Sequence, residues 1–426
     1  MASTQQQTGY HGRGAPAGDQ AHDRALQAEL LAHAAAGEAV PLGSKDFYPS
    51  PERPLGFRGD GNGWFPGATP VTIWWEGTPG GSIADEKGHK LPAYKDSTPK
   101  NLVWKTPLPG WGDSQPLPVG DRVFALCDPY LLVCVSVADG KILWQREVLP
   151  LLCEGRPEAE AKQVQVLFDI ARASIYLGAR LSKSKTEADP DACNHAVARV
   201  REWKTIAAGI DQDPAILGAF DRLVEQIETL KGGGKGPTTF AFGCPTLCDP
   251  LEKKYKLRIN YCWYGHLGYA GSTPASDGER VYIALPQGQV AAYDLNGNRV
   301  WAYRFTESEP LCAHHLPSPQ VCGEKLLVRN MTGDVAAFDA RSGRKLWETE
   351  IGQGGNHGSF MNHKLMRITG PDGKPTDILV TNKGKILRVE DGAIIGGYMY
   401  PRWNNGHGPS LIARDNLFYT SQSHDG

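Results

Sequence analysis

Three segments of the chain repeat one pattern of apolar and polar positions: residues 120–148, 278–305 and 323–351. In each segment, β-branched and aromatic residues alternate with polar ones at every second position, which is typical of half-buried antiparallel strands. Asp-Gly, Gly-Gln and Asn-Gly turns separate these strands and supply the positive φ angles that tight hairpins require. Each segment ends in a strand that carries a tryptophan. The pattern therefore predicts a repeated antiparallel sheet.

The spacing of the tryptophans predicts how these sheets are arranged. Trp301 and Trp347 lie 46 residues apart, which is the length of one four-stranded propeller blade. Trp144 and Trp301 lie 157 residues apart, which is one blade and about 110 further residues. The chain is therefore predicted to form a β-propeller that is interrupted once by an insertion.

The extra residues have the periodicity of helices. Two of the predicted helices open with Asp189-Pro190 and Asp213-Pro214, a capping residue followed by proline at the first helical position. Gly232–Gly236 is predicted to end the helical part. Apolar residues recur on one face over three ranges: 157–183, 190–209 and 213–231. We therefore predict a helical insertion over residues 149–262, within or between blades.

Two weaker repeats follow. The fourth runs from about Gly358 to Tyr400, and Gly396 occupies its tryptophan position. Its strands are expected near 364–369, 377–382, 385–390 and 393–399. A fifth repeat begins at Ser410 and covers two strands. The predicted organisation is an N-terminal extension, partly disordered, over 1–55; a propeller start and first blade over 56–148; the helical insertion over 149–262; and further blades over 263–426, the last of them incomplete.

Each repeat ends in the same turn motif, in which a glycine precedes the tryptophan by four residues. The glycine permits the turn into the outer strand, and the tryptophan is expected to bury its ring between neighbouring sheets. The predicted blade-docking residues are Gly140, Trp144, Asp294, Gly297, Trp301, Asp339, Gly343 and Trp347.

These motifs resemble the tryptophan-docking repeat A-x-D-x-x-[ST]-G-x-x-x-W of the pyrroloquinoline-quinone-like (PQQ-like) β-propeller family. The Phe57-Arg58-Gly59 segment is also similar to the lead-in of some secreted bacterial members. The resemblance covers roughly residues 56–148 and 263–426. It implies an all-β fold, a PQQ-like β-propeller of four-stranded antiparallel blades with an α-helical insertion. About four to five blades are present, so the resemblance leads us to expect a chain truncated from a ring of seven or eight.

The resemblance leaves the choice between a binding protein and an enzyme open. Family dehydrogenases hold the quinone between a tryptophan and a disulfide of adjacent cysteines, beside a calcium ion bound by acidic and amide groups. This sequence contains neither adjacent cysteines nor a recognisable calcium cluster. It therefore favours a protein- or ligand-binding scaffold without quinone. The alternative is a quinoprotein-type or metal-dependent oxidoreductase that uses the central funnel.

Histidines supply the candidate binding groups. Four of them stand just before the first strand of a predicted blade: His266, His315, His357 and His407. Loops at this position converge around a propeller axis, where neutral imidazoles could ligate a transition metal or contact an anionic ligand. The simpler interpretation is that each histidine hydrogen-bonds a neighbouring loop. Cys244, Cys248 and Cys262 have spacing too loose to indicate a zinc site, and thiols or a tethering disulfide fit them better.

Composition narrows the partners and leaves the location open. The formal net charge is −2 and 22% of the residues are charged, which disfavours nucleic acid and anionic membrane as partners. A protein partner or a small ligand at the propeller face is therefore expected. No uninterrupted apolar segment reaches the roughly 18 residues of a membrane span, and residues 1–20 have no signal-peptide pattern. That N-terminus suggests the cytoplasm, whereas family members are typically exported.

Overall fold

A computed structural model shows the arrangement of these repeats. It describes residues 49, 54–59, 75–84, 90–99, 102–110, 112, 114–127, 131–148, 156–182, 190–232, 245–255, 270–285, 288–305, 317–329, 334–352, 362–370, 372–381, 383–398, 411–414 and 417–419. The chain divides into two compact units. One includes Phe65–Pro107 and Ser136–Lys141, and the other includes Tyr48–Trp64, Leu108–Val135 and the residues from Ile142 onward.

In the first unit, two ten-residue strands, β1 (Trp75–Ala84) and β2 (Lys90–Pro99), form an antiparallel hairpin. The same unit holds a tryptophan contact that the sequence pattern did not indicate. The indole N–H of Trp104 donates to the carbonyl of Val137 at 2.6 Å. Gly140, at φ +70°, lies against the same ring.

The other strands form four four-stranded antiparallel sheets, numbered blades 1 to 4, and one two-stranded pair. Blade 1 consists of β3 (Leu117–Val119), β4 (Arg122–Cys127), β5 (Leu131–Ser136) and β6 (Ile142–Glu147). Blade 2 consists of β7 (Ala275–Ser276), β8 (Arg280–Ala284), β9 (Gln289–Asp294) and β10 (Arg299–Arg304). Blade 3 consists of β11 (Gln320–Cys322), β12 (Lys325–Arg329), β13 (Val335–Asp339) and β14 (Lys345–Thr349). Blade 4 consists of β15 (Lys364–Thr369), β16 (Pro375–Val380), β17 (Lys385–Arg388) and β18 (Ile394–Gly397), and the pair is β19 (Ile412–Arg414) and β20 (Leu417–Tyr419).

Each of the four blades is a meander in which neighbouring strands in the chain pair with one another. In blades 1 to 3 the two middle strands are mostly buried, as in β8 and β9, whereas the fourth strand, as in β10, is only partly buried. This is the four-stranded antiparallel blade that the repeat spacing predicts, and the fold is of the β-propeller type with a helical insertion. The strands of blade 4 also lie close to their predicted positions, although its tryptophan is replaced by Gly396.

A one-residue β-bulge interrupts the fourth strand of every blade, directly before the tryptophan position. In blade 2, Trp301 pairs with Ala292 and Arg299 pairs with Tyr293, so Val300 is the extra residue. The extra residues of the four blades are Leu143, Val300, Leu346 and Ile395. A bulge re-aims the side chain beside it. The exposure of Val300 and the burial of Trp301 follow from this local irregularity.

The tryptophan that follows the bulge contacts the next blade. The indole N–H of Trp144 donates to the Leu295 carbonyl at 3.1 Å, and that of Trp301 donates to the Ala340 carbonyl at 2.9 Å. Trp347 repeats the contact with the Val389 carbonyl at 3.1 Å. In each case the ring also lies against a positive-φ glycine of the acceptor turn: Gly297, Gly343 and Gly392. At each of these three joints, the tryptophan ring of one blade contacts a glycine of the next blade, and its N–H donates a hydrogen bond to a backbone carbonyl there.

The chain between blades 1 and 2 contains the predicted helices. They are α1 (Glu158–Ser182), α2 (Pro190–Ala208), α3 (Pro214–Lys231) and a further helix, α4 (Pro245–Tyr255). The expectation that Gly232–Gly236 ends the helical part is wrong. A helix with proline at Pro245 and again at Pro250 lacks the usual sequence pattern, because an interior proline normally predicts a break. Packing stabilises it: Lys254 and the Tyr255 hydroxyl both donate to Asp211, at 2.6 and 2.5 Å.

Candidate binding face at the inner strands

The first strand of each blade lies at the edge of its sheet, and we call β3, β7, β11 and β15 the inner strands. Residues 54–59 lie beside them. Leu55 exchanges two backbone hydrogen bonds with Ser276, at 2.9 and 2.7 Å. Gly56 and Gly59 close a tight turn by a second reciprocal pair. The Phe57-Arg58-Gly59 segment thus forms a turn that lies against the inner edge of blade 2.

A row of hydrogen bonds connects the residues two positions before each inner strand. The backbone N–H of Gln115 donates to the Thr273 hydroxyl at 3.0 Å, and the backbone N–H of Thr273 donates to the Ser318 hydroxyl at 3.0 Å. The amide of Ser318 donates in turn to the Asn362 side-chain oxygen at 2.5 Å. Each blade therefore accepts, through one side chain, the amide of the blade before it. We call these four residues the amide row.

Proline explains why these backbone N–H groups donate to the next blade and not within their own sheet. Pro116, Pro274 and Pro319 follow the first three members of the row. A residue before proline is biased toward extended backbone, and proline itself cannot donate to a sheet. The amide ahead of it therefore needs an acceptor outside its own blade. In blade 4 this proline is replaced by His363.

We expect Ser318→Ala to lower the free energy of unfolding by about 1–3 kcal/mol, because the buried Thr273 amide loses its acceptor. Ser318 and Thr273 are both buried. Denaturant unfolding followed by tryptophan fluorescence measures the change. Ser342→Ala is the matched control, since that exposed hydroxyl serves only its own turn among the bonds seen here. Equal losses in the two variants would contradict a role for the amide row.

A cavity lies between the 54–59 segment and the inner strands of blades 2, 3 and 4. It has a volume of about 60 Å³ and is lined by Phe57, Ala275, Gln320 and residues 362–365 among others. The volume suffices for one or two water molecules. Gln320 crosses toward blade 4, where its amide nitrogen donates to the His363 carbonyl at 2.5 Å. The cavity is therefore a small recess whose lining is mostly apolar, with polar groups supplied by Gln320 and residues 362–364.

His363 is the titratable group of this face whose pKa is most strongly displaced. Burial, together with the positive charges of Arg329 and Lys383, lowers its pKa to about 3. The imidazole is consequently neutral at physiological pH. Burial lowers the pKa of Arg329 to about 10, although the charge of Asp334 acts to raise it. Burial and the charge of Arg329 together lower the pKa of Lys383.

The His363 shift predicts a pH-dependent stability. The unfolded histidine binds a proton as the pH falls below about 6.5, whereas the folded one does so only near pH 3. Stability from this group is therefore complete above pH 6.5 and is lost as the pH falls. We expect wild type to lose about 1.4 kcal/mol more per pH unit between pH 6 and 4 than His363→Gln. Denaturant melts across this range test the difference.

The control for this experiment is His195→Gln, because His195 is exposed on α2. Its pH profile should match that of wild type. Carboxylates that titrate in the same range are common to all three proteins and cancel in the comparison. A wild-type profile parallel to that of His363→Gln would show that the imidazole is not buried as described.

Two of the described thiols have raised pKa values. Burial raises the pKa of Cys134 to about 11 and that of Cys322 to about 12. A thiolate is the nucleophilic form of cysteine, so these two residues act as apolar packing groups at neutral pH. Cys248, one of the three cysteines considered for zinc, is buried in α4. Cys244 and Cys262 lie outside the described residues.

The four histidines proposed from the sequence, His266, His315, His357 and His407, all lie outside the described residues. Their convergence thus stays a prediction. The amide row and the burial of His363 were not predicted from the sequence. A signal for the row was present, because a polar residue followed by proline recurs before three inner strands. His363 had no such signal, since its burial depends on packing between blades.

Two negative findings concern only the part of the chain that the structure describes. In it, no three or more histidine, cysteine, aspartate or glutamate side chains are grouped to hold a metal ion. None of its helices is both long and apolar enough to cross a membrane.

A family model described as outer membrane protein assembly factor BamB matches residues 263–422. The matched range contains blades 2 to 4 and the β19–β20 pair. The match covers less than half of the chain. It confirms, over residues 263–422, the resemblance to PQQ-like repeats noted in the sequence, and that range includes the tryptophans of blades 2 and 3. A search of curated proteins gives no match to the chain.

Solved structures with PQQ-like folds are also similar to the chain. BamB from Moraxella catarrhalis is 12% identical with a TM-score of 0.35, and the match covers 80% of this chain and 65% of that one. Quinohemoprotein alcohol dehydrogenase ADHIIG from Pseudomonas putida HK5 is 11% identical with a TM-score of 0.28, covering 69% and 42%. The corresponding enzyme from Comamonas testosteroni is 10% identical with a TM-score of 0.28, covering 69% and 44%. The chain spans less than two thirds of each of these proteins.

Proposed function

We propose that the chain is a binding scaffold whose inner-strand face binds a protein partner. The observation that carries the proposal is the family match, because the model is described as an assembly factor and its range contains blades 2 to 4. The construction of the face supports it. The 54–59 turn lies against the inner edge of blade 2 and exposes Arg58, and arginine is enriched at protein–protein interfaces.

The proposal includes a location and a role for the histidines. The description of the family model as an outer membrane protein assembly factor supports an extracytoplasmic location. His266, His315, His357 and His407 precede the predicted inner strands, so we propose that their loops extend the same binding face. A ligand-binding role for these imidazoles is part of the proposal.

Site-specific photo-crosslinking in the native host tests the binding face. A benzoylphenylalanine at Phe57 or Gln115 should give a discrete adduct with one partner protein, which mass spectrometry then identifies. The control position is Val300, which is exposed on the outer strand of blade 2. Adducts of equal yield from Val300, or none from either inner-face position, would contradict the proposal.

The alternative function is an oxidoreductase, quinoprotein-type or metal-dependent, that uses the same face. Elemental analysis and an absorbance scan of the purified full-length protein distinguish the two. Our proposal expects neither stoichiometric metal nor a quinone band. Stoichiometric metal that is lost in the His357→Ala and His407→Ala variants would overturn the scaffold proposal.

A further inference from the structure

The tip of the 54–59 turn holds an arginine in a backbone conformation that glycine normally adopts. Arg58 has a φ of +53°, and in the described part of the chain it is the one residue other than glycine with a positive φ. The twelve other described residues with a positive φ are all glycines. A side chain at positive φ has a steric cost that glycine avoids, and such positions cluster at functional sites. The side chain of Arg58 is therefore retained against the preference of its backbone.

Hydrogen bonds from the backbone fix this tip. Gly56 and Gly59 exchange two of them, at 2.9 and 3.0 Å, and the backbone N–H of Arg58 donates to Oε1 of Gln115 at 2.9 Å. Leu55, which precedes the turn, is buried and pairs with the backbone of β7. None of these contacts uses the side chain of Arg58. The guanidinium is therefore carried by a tip whose position does not depend on it.

The side chain of Arg58 is exposed, and its guanidinium lies over the ring of Phe57, with Cζ 5.2 Å from the ring centroid. Among the residues that the structure describes, no carboxylate forms an ion pair with this guanidinium. A guanidinium that stacks on a ring by its face keeps its in-plane N–H groups for an acceptor at its edge. The planar fork of these donors matches the two oxygens of a carboxylate.

The recess beside the turn offers no negative charge that would repel such a carboxylate. Phe57 and Gly59, which flank Arg58, line this recess together with residues of the inner strands of blades 2 to 4. None of the residues that line it is an aspartate or a glutamate. A carboxylate that approaches Arg58 from this side thus meets no charge of its own sign among the lining residues. The turn and its recess are therefore electrostatically complementary to an acidic partner.

We propose that Arg58 binds a carboxylate of an acidic segment in the protein partner. The inference rests on the proposed function, because it names the chemistry by which the inner-strand face recognises a polypeptide. The planar guanidinium takes both carboxylate oxygens, and the Phe57 ring holds the guanidinium in place. Because the turn is fixed before binding, little conformational freedom is lost when the carboxylate arrives. The contact with Arg58 therefore orients the acidic segment within a larger interface.

Photo-crosslinking of the full-length protein in the native host tests the contact. Benzoylphenylalanine replaces Phe57 and keeps an aromatic ring beside Arg58. We expect Arg58→Gln to lower the yield of the partner adduct by about fivefold or more, because the charged contact is lost. Arg58→Lys should give an intermediate yield, since lysine keeps the charge and loses the planar fork. Arg299→Gln is the matched control, because Arg299 is exposed on the outer strand β10, and it should leave the yield unchanged.

Mass spectrometry of the adduct then locates the contact on the partner. A fluorescein-labelled synthetic copy of the cross-linked peptide should bind the purified full-length protein with an affinity that falls as ionic strength rises. A second copy, in which each aspartate and glutamate is replaced by its amide, should bind about fivefold more weakly or less. A cross-linked peptide without an acidic residue, or equal affinity of the two copies, would overturn the inference.

Arg58→Gly separates a binding role from a structural one. Glycine adopts positive φ without a steric cost, and the hydrogen bonds of the turn use only the backbone of residue 58. This variant should therefore melt no lower than wild type, yet lose the adduct as Arg58→Gln does. Full adduct yield in Arg58→Gly and Arg58→Gln overturns the inference and leaves the proposed function standing. Absence of any adduct in the protein that retains Arg58 contradicts the proposed function itself, and the inference falls with it.

Discussion

Replacing Gly343 with alanine is expected to lower the free energy of unfolding by about 2–4 kcal/mol. Two costs combine in this figure: the positive φ of +72°, which penalises any β-carbon, and overpacking against the indole. A β-carbon at this position would lie 2.5 Å from Cδ2 of Trp301. The ring cannot retreat easily, because its N–H is held by the Ala340 carbonyl. Urea unfolding followed by circular dichroism measures the loss.

Gly323→Ala is the matched control for this variant. Gly323 also has a positive φ, +57°, and lies in the same blade, but a β-carbon there has no atom within 4 Å. The control should therefore lose only about 1 kcal/mol, the cost of the backbone conformation alone. The difference between the two variants measures the close approach of glycine and tryptophan. Equal losses would mean that the ring is not docked on Gly343.

Replacing Trp301 with alanine is expected to cost about 3–5 kcal/mol, the range for deleting a large buried aromatic side chain. Trp301 is 8% exposed and contacts Tyr282 of its own blade and Phe338 of the next, at centroid distances of 6.3 and 6.2 Å. Its removal opens a cavity between blades 2 and 3. Trp301→Phe keeps a ring but loses the donor to Ala340, so its loss should be smaller. Thermal and urea unfolding measure both variants.

The two substitutions should be strongly coupled. When Trp301 is already alanine, the β-carbon of Gly343→Ala no longer meets the indole, and only the backbone penalty remains. The double variant should therefore be more stable than the sum of the single losses predicts, by at least about 1 kcal/mol. Additive losses would contradict the docking geometry. The same cycle between Trp144 and Gly297 tests whether the contact is repeated.

These contacts explain how the chain tolerates a long helical insertion. Trp144 of blade 1 donates to the Leu295 carbonyl of blade 2, although the two residues are 151 positions apart in the chain. Arg146 reinforces the joint by donating to the Gly297 carbonyl at 2.8 Å. Because docking depends on the outer strand and the turn of the next blade, residues between them can lengthen without disturbing it. The cost of such an insertion grows slowly with its length.

The fold was more predictable than the candidate face. Period-2 alternation, glycine turns and a spacing of 46 residues between Trp301 and Trp347 predict four-stranded blades, because each signal acts over a few neighbouring residues. Even the degenerate blade 4 was located without its tryptophan. Helix α4 was missed because its two prolines argue against a helix locally, while Asp211 and the other helices stabilise it.

The amide row depends on different physics from the blades. Ser318 and Thr273 are 45 positions apart in the chain. Whether Ser318 accepts a hydrogen bond from Thr273 depends on how closely their two blades pack. No local pattern encodes that distance. In the same way, Arg329 and Lys383 look like ordinary surface residues in the sequence, and only packing shows that Arg329 is buried.

The sequence by itself determined the blade, its turn glycines and its tryptophans, because strand alternation and turn chemistry are local properties. Tertiary structure alone decided which groups meet between blades. The bulge before each tryptophan, the amide row and the burial of His363 all arise when independently formed sheets pack against one another. Glycine followed four residues later by tryptophan therefore predicts a blade, whereas the chemistry of the inner face depends on contacts that exist only after the blades assemble.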